Sequence, residues 1–271
     1  MQAPKAIISV TALALGLTIG HTAANAASFT PLQGYSDADF NADKDSGQFM
    51  EDWVAEGRIG NNKNNGDYEF AIVDWNTNDS NQVVSQQQYQ WTSGQEVPFS
   101  VKYDGNTVEF NIAGKTLTPD QNLSSLPITE TGRFPNGLNS IFLRAASFSG
   151  TARSKTTQSS SVVFSDLKVE VDGDETTYNG SFASSSSSGD SKVNTNYLLI
   201  SDLEKPFDLK GNVSFSWEGE APLGSRLAFQ AKGGFYEDEE ESPTPVPEPA
   251  TMSLLSLGVI GLGMSRRRKQ A

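Results

Sequence analysis

Apolar and polar residues alternate at every second position in several short segments between residues 28 and 235, the pattern of strands with one buried face. Thr107–Ile112 shows it plainly, with Val108, Phe110 and Ile112 on one face and Glu109 and Asn111 on the other. Val97–Tyr103 precedes it, and Asp104-Gly105 between them is a hairpin signal. Ser165–Val171, Asn212–Trp217 and Arg226–Gln230 repeat the alternation, and further strands are expected at Trp53–Ile59, Tyr68–Trp75, Asn139–Ala145 and Tyr197–Ser201. No stretch between 28 and 240 sustains an i, i+3, i+4 apolar stripe. The pattern therefore predicts an all-β domain, an antiparallel two-sheet sandwich of jelly-roll-like character with its aromatic residues in the core. Ser184–Ser188 with Gly189-Asp190 reads as a flexible loop inside that domain.

The two ends break the alternation. Lys5 precedes a short apolar run, Ala6–Gly20, and Ala24-Asn25-Ala26 follows as a small-residue cleavage site. This order predicts an N-terminal signal helix within a cleavable signal peptide, 1–27, cut by signal peptidase after Ala26 or Ala27. The run is shorter than the roughly 20 residues that span a bilayer. At the other end, Glu237–Glu241 and the prolines that follow self-repel and extend as a stem, 236–245. Thr251–Met264 is then apolar and uncharged, and Arg266-Arg267-Arg268-Lys269 stops it. An apolar segment closed by cations predicts a short C-terminal transmembrane helix with its positive end cytoplasmic. With the N-terminus exported, residues 28 to about 248 lie outside the cytoplasm, and the tail occupies 246–271.

The order Val246-Pro247-Glu248-Pro249, apolar run, Arg266-Arg267-Arg268 resembles the PEP-CTERM tail of Gram-negative and cyanobacterial envelope proteins. That resemblance implies a membrane-embedded exosortase as partner. It also implies an intermediate anchored transiently in the inner membrane, and final placement at the cell surface or outside the cell. The middle segment resembles, through strand-and-turn pattern, the extracellular choice-of-anchor domains, the W type being nearest. The stretches that carry this are Val101–Phe110, Phe142–Ala145, Phe164–Leu167, Tyr197–Ile200 and Gly211–Trp217. Such domains have no established activity.

Composition narrows the chemistry. The chain has no Cys, and its single His, His21, lies in the expected signal peptide. Ser-His-Asp and Cys-His machinery and His-ligated zinc are excluded from the mature part. Residues 28–247 hold 15 basic and 32 acidic residues, a net charge of −17. Such a surface repels phosphate backbones, so no nucleic-acid partner is expected. No phosphate loop or nucleotide fingerprint is present, and no cofactor is expected.

Two acidic constellations bear on catalysis and metal binding. Glu170, Asp172 and Glu175 have the E-x-D-x-x-E spacing of retaining jelly-roll glycoside hydrolases, which need two carboxyl groups about 5–5.5 Å apart. Asp172-Gly173 reads as a turn that interrupts them, so a solvated hairpin end is expected. Asp37–Gly47 alternates oxygen ligands as calcium loops do. Aligned on Asn41, Asp43 and Asp45, it puts Ser46 where an EF-hand needs Gly and Asp52 where it needs Glu, so a solvated polar loop is expected. The expectation is a non-enzymatic, exported surface or matrix protein serving envelope, exopolysaccharide or biofilm structure or binding, with polysaccharide a candidate partner. The alternative is a carbohydrate-active domain, either a lectin-like binder or a weak hydrolase.

Overall fold

The computed structural model describes residues 26–60, 69–74, 83–105, 107–118, 138–152, 155–187 and 192–237. The expected signal helix, the stem from 238 onward, the sorting residues and the expected transmembrane helix at 251–264 lie outside the described residues. So do Tyr68 and Trp75 at the margins of one expected strand. Among the described residues no helix is long and apolar enough to cross a membrane.

In chain order the elements are β1 (Ser28–Leu32), α1 (Asp37–Ser46), β2 (Phe49–Ile59), β3 (Phe70–Asp74), β4 (Val83–Gln87), β5 (Glu96–Tyr103), β6 (Val108–Ile112) and β7 (Lys115–Leu117). β8 (Ser140–Phe148), β9 (Gly150–Ala152), β10 (Lys155–Val171), β11 (Asp174–Thr177), β12 (Phe182–Ser186), β13 (Val193–Ser201), β14 (Phe207–Gly219) and β15 (Leu227–Tyr236) complete them. They build two antiparallel sheets. One runs β1-β13-β8-β15-β2-β3-β4. The other runs β11-β10-β14-β5-β6-β7, with β12 and β9 also paired to β10.

The alternation read from the sequence is what joins the sheets. Val108, Phe110 and Ile112 of β6 are all buried, and so are Val97, Phe99 and Val101 of β5. In β14 the inward positions run Phe207, Leu209, Gly211, Val213, Phe215. At Gly211 a Cβ would lie 2.8 Å from Leu167 Cδ2, 3.0 Å from Ser165 O and 3.2 Å from the Phe99 ring, so a side chain there would have to displace its core neighbours. From the facing sheet, Phe229 of β15 reaches Phe99, Phe110, Phe164 and Phe215, with ring centroids 5.4–6.1 Å apart. Apolar burial of this kind contributes about 25 cal/mol per Å².

Two expectations fail. The Ser-rich segment is not a loop through Ser186, because Phe182–Ser186 is strand β12, paired with β10 from Ser160↔Ser186 to Phe164↔Phe182. Its serines enter the interior because partners await them. Ser147 Oγ, fully buried, shares hydrogen bonds with Ser184 Oγ at 2.9 Å and Ser186 Oγ at 3.0 Å. Ser184 Oγ also donates to Asn194 O at 2.9 Å, which leaves no buried hydroxyl to desolvate unpaired. The second failure is α1, a helix where a polar loop was expected. A ten-residue helix that buries only Phe40 has no stripe to detect, and caps define it instead. Ser36 Oγ accepts from Ala38 N and Asp39 N, Asp39 Oδ2 accepts from Ser36 N at 2.8 Å, and Gly47 closes the helix at φ 83°.

Candidate functional site

The last strand is also a central one. β15 lies between β8 and β2 and pairs with both, from Leu227↔Ile59 to Tyr236↔Phe49 on one side and from Ala228↔Ala146 to Gly234↔Ser140 on the other. The chain therefore leaves the domain from the middle of a sheet, at Tyr236 and Glu237, and the exit is tied down. Asn139 Nδ2 donates to Tyr236 O at 2.9 Å and its Oδ1 accepts from Tyr236 N at 2.8 Å. Glu237 N donates to Gln48 O at 2.9 Å, while Gln48 Nε2 donates to the Tyr236 hydroxyl at 3.3 Å. A bulge between Gly233 and Gly234 sets the approach. A Cβ on Gly234 would stand 2.0 Å from Met50 O, so no other residue fits there without moving backbone.

Helix α1 docks on the same corner. Phe40, Phe49, Phe142, Tyr197 and Leu199 form a second apolar cluster on the outer face of the first sheet, with Leu32, Tyr35 and Tyr236 packed against it. Phe142 meets Tyr236 edge-on at 5.3 Å and Phe49 at 4.8 Å. Charged groups hold the helix to this surface. Arg144 donates to both Asp37 oxygens at 2.6 Å, and Tyr197 Oη donates to Asp37 Oδ1 at 2.7 Å. Lys232 of β15 donates to Glu51 at 3.0 Å and stands 4.7 Å from the Phe40 ring centroid, and Lys44 also pairs with Glu51.

The electrostatics match a latch. Burial pushes the Asp37 carboxyl up, but the Arg144 hydrogen bonds and charge, aided by Tyr197, hold it below the usual carboxylate range. Burial and the Asp37 carboxylate push the Tyr197 phenol well above its ordinary value, so it remains a donor. Burial lowers the Lys232 ammonium, and Glu51 offsets part of that.

The two acidic constellations do not assemble into sites. Glu170, Asp172 and Glu175 are all exposed on the β10–β11 hairpin. Glu170 stands directly opposite Glu175, and Asp172 forms the turn with φ 55° ahead of Gly173 at 91°, as the spacing led one to expect. Glu175 pairs with Lys168 and Asp172 with Lys205. A general acid needs a carboxyl pushed upward by burial, whereas Lys205 holds Asp172 below its ordinary value. In the Asp37–Gly47 segment the helix fans alternate side chains to different sides, so Asn41, Asp43 and Asp45 cannot converge as calcium-loop ligands do. Asp43 accepts from Tyr35 instead. Among the described residues no group of three or more His, Cys, Asp or Glu side chains is placed to share a metal ion.

Sequence reasoning found β15 in part, as Arg226–Gln230, but not the exit corner. The available signals were Ser36 three residues before Asp39, and Gly47 after the helix.

Residues 245–269 match the PEP-CTERM protein-sorting motif. The match takes in Val246, Pro247, Glu248, Pro249, Arg266, Arg267 and Arg268. The motif implies export, processing by an exosortase-type membrane enzyme, and a cell-surface or extracellular place afterwards. The chain matches none of the curated proteins compared with it.

Proposed function

We propose that this chain is a non-catalytic surface or matrix protein. Its acidic β-sandwich serves envelope, exopolysaccharide or biofilm structure, or binds a component of it, as a domain of choice-of-anchor type. A signal peptidase removes residues through Ala26 or Ala27. The C-terminal apolar segment holds the chain in the inner membrane until the exosortase-type enzyme acts. The observation that carries this reading is the sorting motif at 245–269, which is separated by eight residues from the end of a central strand. Residues 28–247 carry a net charge of −17, which keeps the exported chain dispersed and away from anionic lipid surfaces. The missing Cys and the single His, inside the expected leader, support a role without nucleophilic or His-ligated metal chemistry.

The test is fractionation of cells that express the chain with Pro247, Glu248 and Pro249 replaced by Ala, beside the unaltered chain. The proposal expects the variant to stay in the membrane fraction while the unaltered chain reaches the surface or medium. Equal release of both would refute it.

A further inference from the structure

The place of β15 in the sheet fixes an order of events at the membrane. Until residues 227–236 arrive, the first sheet exists only as two separated halves, β1-β13-β8 and β2-β3-β4. Neither half carries Phe229, whose ring sits against Phe99, Phe110, Phe164, Phe215 and Trp91 in the main core. The exit corner is equally late. Phe142 and Gln48 gain Tyr236 only when the last strand docks, and Lys232, which pairs with Glu51, also belongs to β15. The sandwich thus cannot close before nearly the whole domain has crossed the membrane.

The tail follows at once. Eight residues, 237–244, separate the strand from the sorting motif. Fully extended they reach at most about 29 Å, at up to about 3.6 Å per residue. Five of the eight, Glu237, Asp238, Glu239, Glu240 and Glu241, carry negative charge. That reach lets β15 insert between β8 and β2 while the tail is still held in the bilayer. If the tail were removed first, a free chain would present two open edges and an unfilled core.

We propose that the exosortase-type enzyme acts on the folded domain. Docking of β15 precedes tail removal, and the hydrogen bonds that tie Tyr236 and Glu237 to Asn139 and Gln48 leave only the segment beyond Glu237 for the enzyme to engage. This inference rests on the sorting reading above and adds its sequence in time.

Pulse-chase labelling of the full chain, with brief protease treatment at each time point, tests it in cells with and without the enzyme. The expected result is a protease-resistant core that appears while the chain still carries its tail, with the processed form accumulating later and only where the enzyme is present. Phe229→Ala, which empties the core without touching the tail, is expected to slow tail removal at least tenfold. Asn139→Ala frees the exit but leaves the core filled, so it is expected to fold and to be processed. Tail loss from protease-sensitive chains, or processing of Phe229→Ala at the unaltered rate, overturns the order but leaves the sorting reading intact. A tail that survives in both strains overturns the sorting reading and the order together.

Discussion

Replacing Phe229 by Ala removes the side chain on which both sheets close. Its ring is fully buried and lies 5.4–6.4 Å, centroid to centroid, from five other aromatic rings. Four of those, Phe99, Phe110, Phe164 and Phe215, belong to strands of the opposite sheet, so neighbours on one backbone cannot simply relax into the space. Gly57 lies beneath the ring, close enough that a Cβ there would come within 2.4 Å of it, and glycine has no side chain to refill the cavity. Phe→Ala substitutions at buried sites cost about 3–5 kcal/mol, and a site that collapses poorly belongs near the upper end. With a urea slope of about 2–3 kcal/mol per molar, the midpoint falls by roughly 1.5–2 M. Equilibrium urea unfolding of the processed protein, followed by tryptophan fluorescence, measures it. Val193→Ala, at an exposed position, is the control and should shift stability by no more than about 0.5 kcal/mol. A Phe229→Ala loss below about 1.5 kcal/mol would refute the assignment of this ring as the centre of the core.

Asp37→Asn breaks the latch. Because Asp37 is about half exposed, screening limits the loss to about 1–2 kcal/mol at neutral pH, read as a lower urea midpoint. The folded-state carboxyl titrates lower than the unfolded one, so its contribution is complete above pH ~5 and is lost as pH falls through the unfolded and then the folded value. The unaltered protein should therefore lose more stability than Asp37→Asn between pH 5 and pH 3, and parallel acid curves would contradict the latch. Ser147→Ala takes the shared partner from Ser184 and Ser186 and should cost about 1–3 kcal/mol; no change in unfolding would mean those hydroxyls do not depend on it. Gly234→Ala drives a methyl group into Met50 O, and a loss of about 1–3 kcal/mol is expected by thermal or urea unfolding. Wild-type stability would show that the bulge is not fixed as described.

How far the fold could be read from the chain depended on how each element is held. β5, β6, β14 and the second half of β10 bury every second side chain, and that periodicity is visible in a single sequence. β12 was missed because its inward residues include Ser184 and Ser186, whose burial is made possible by Ser147, far away in the chain. α1 was missed because a helix that buries only Phe40 is specified by its caps and by long-range contacts from Asp37 to Arg144 and Tyr197. In β10, Asp166 at φ 52° inserts a bulge, so the inward series passes from Phe164 to Leu167. Alternation from Ser165 onward still placed Val169 and Val171 inside and Glu170 outside. The sorting residues were legible because they are a linear motif. The exit corner was not, since it joins Gln48, Asn139 and Tyr236 from three distant parts of the chain.

The central claim is that residues beyond the sandwich are a processing signal and that the domain works outside the membrane. Intact mass of the protein, taken from membrane and medium in strains with and without the exosortase-type enzyme, tests this most directly. The expected chain ends within Val246–Pro249 only where the enzyme is present and extends through Ala271 in its absence. The same full-length C-terminus in both strains would contradict it.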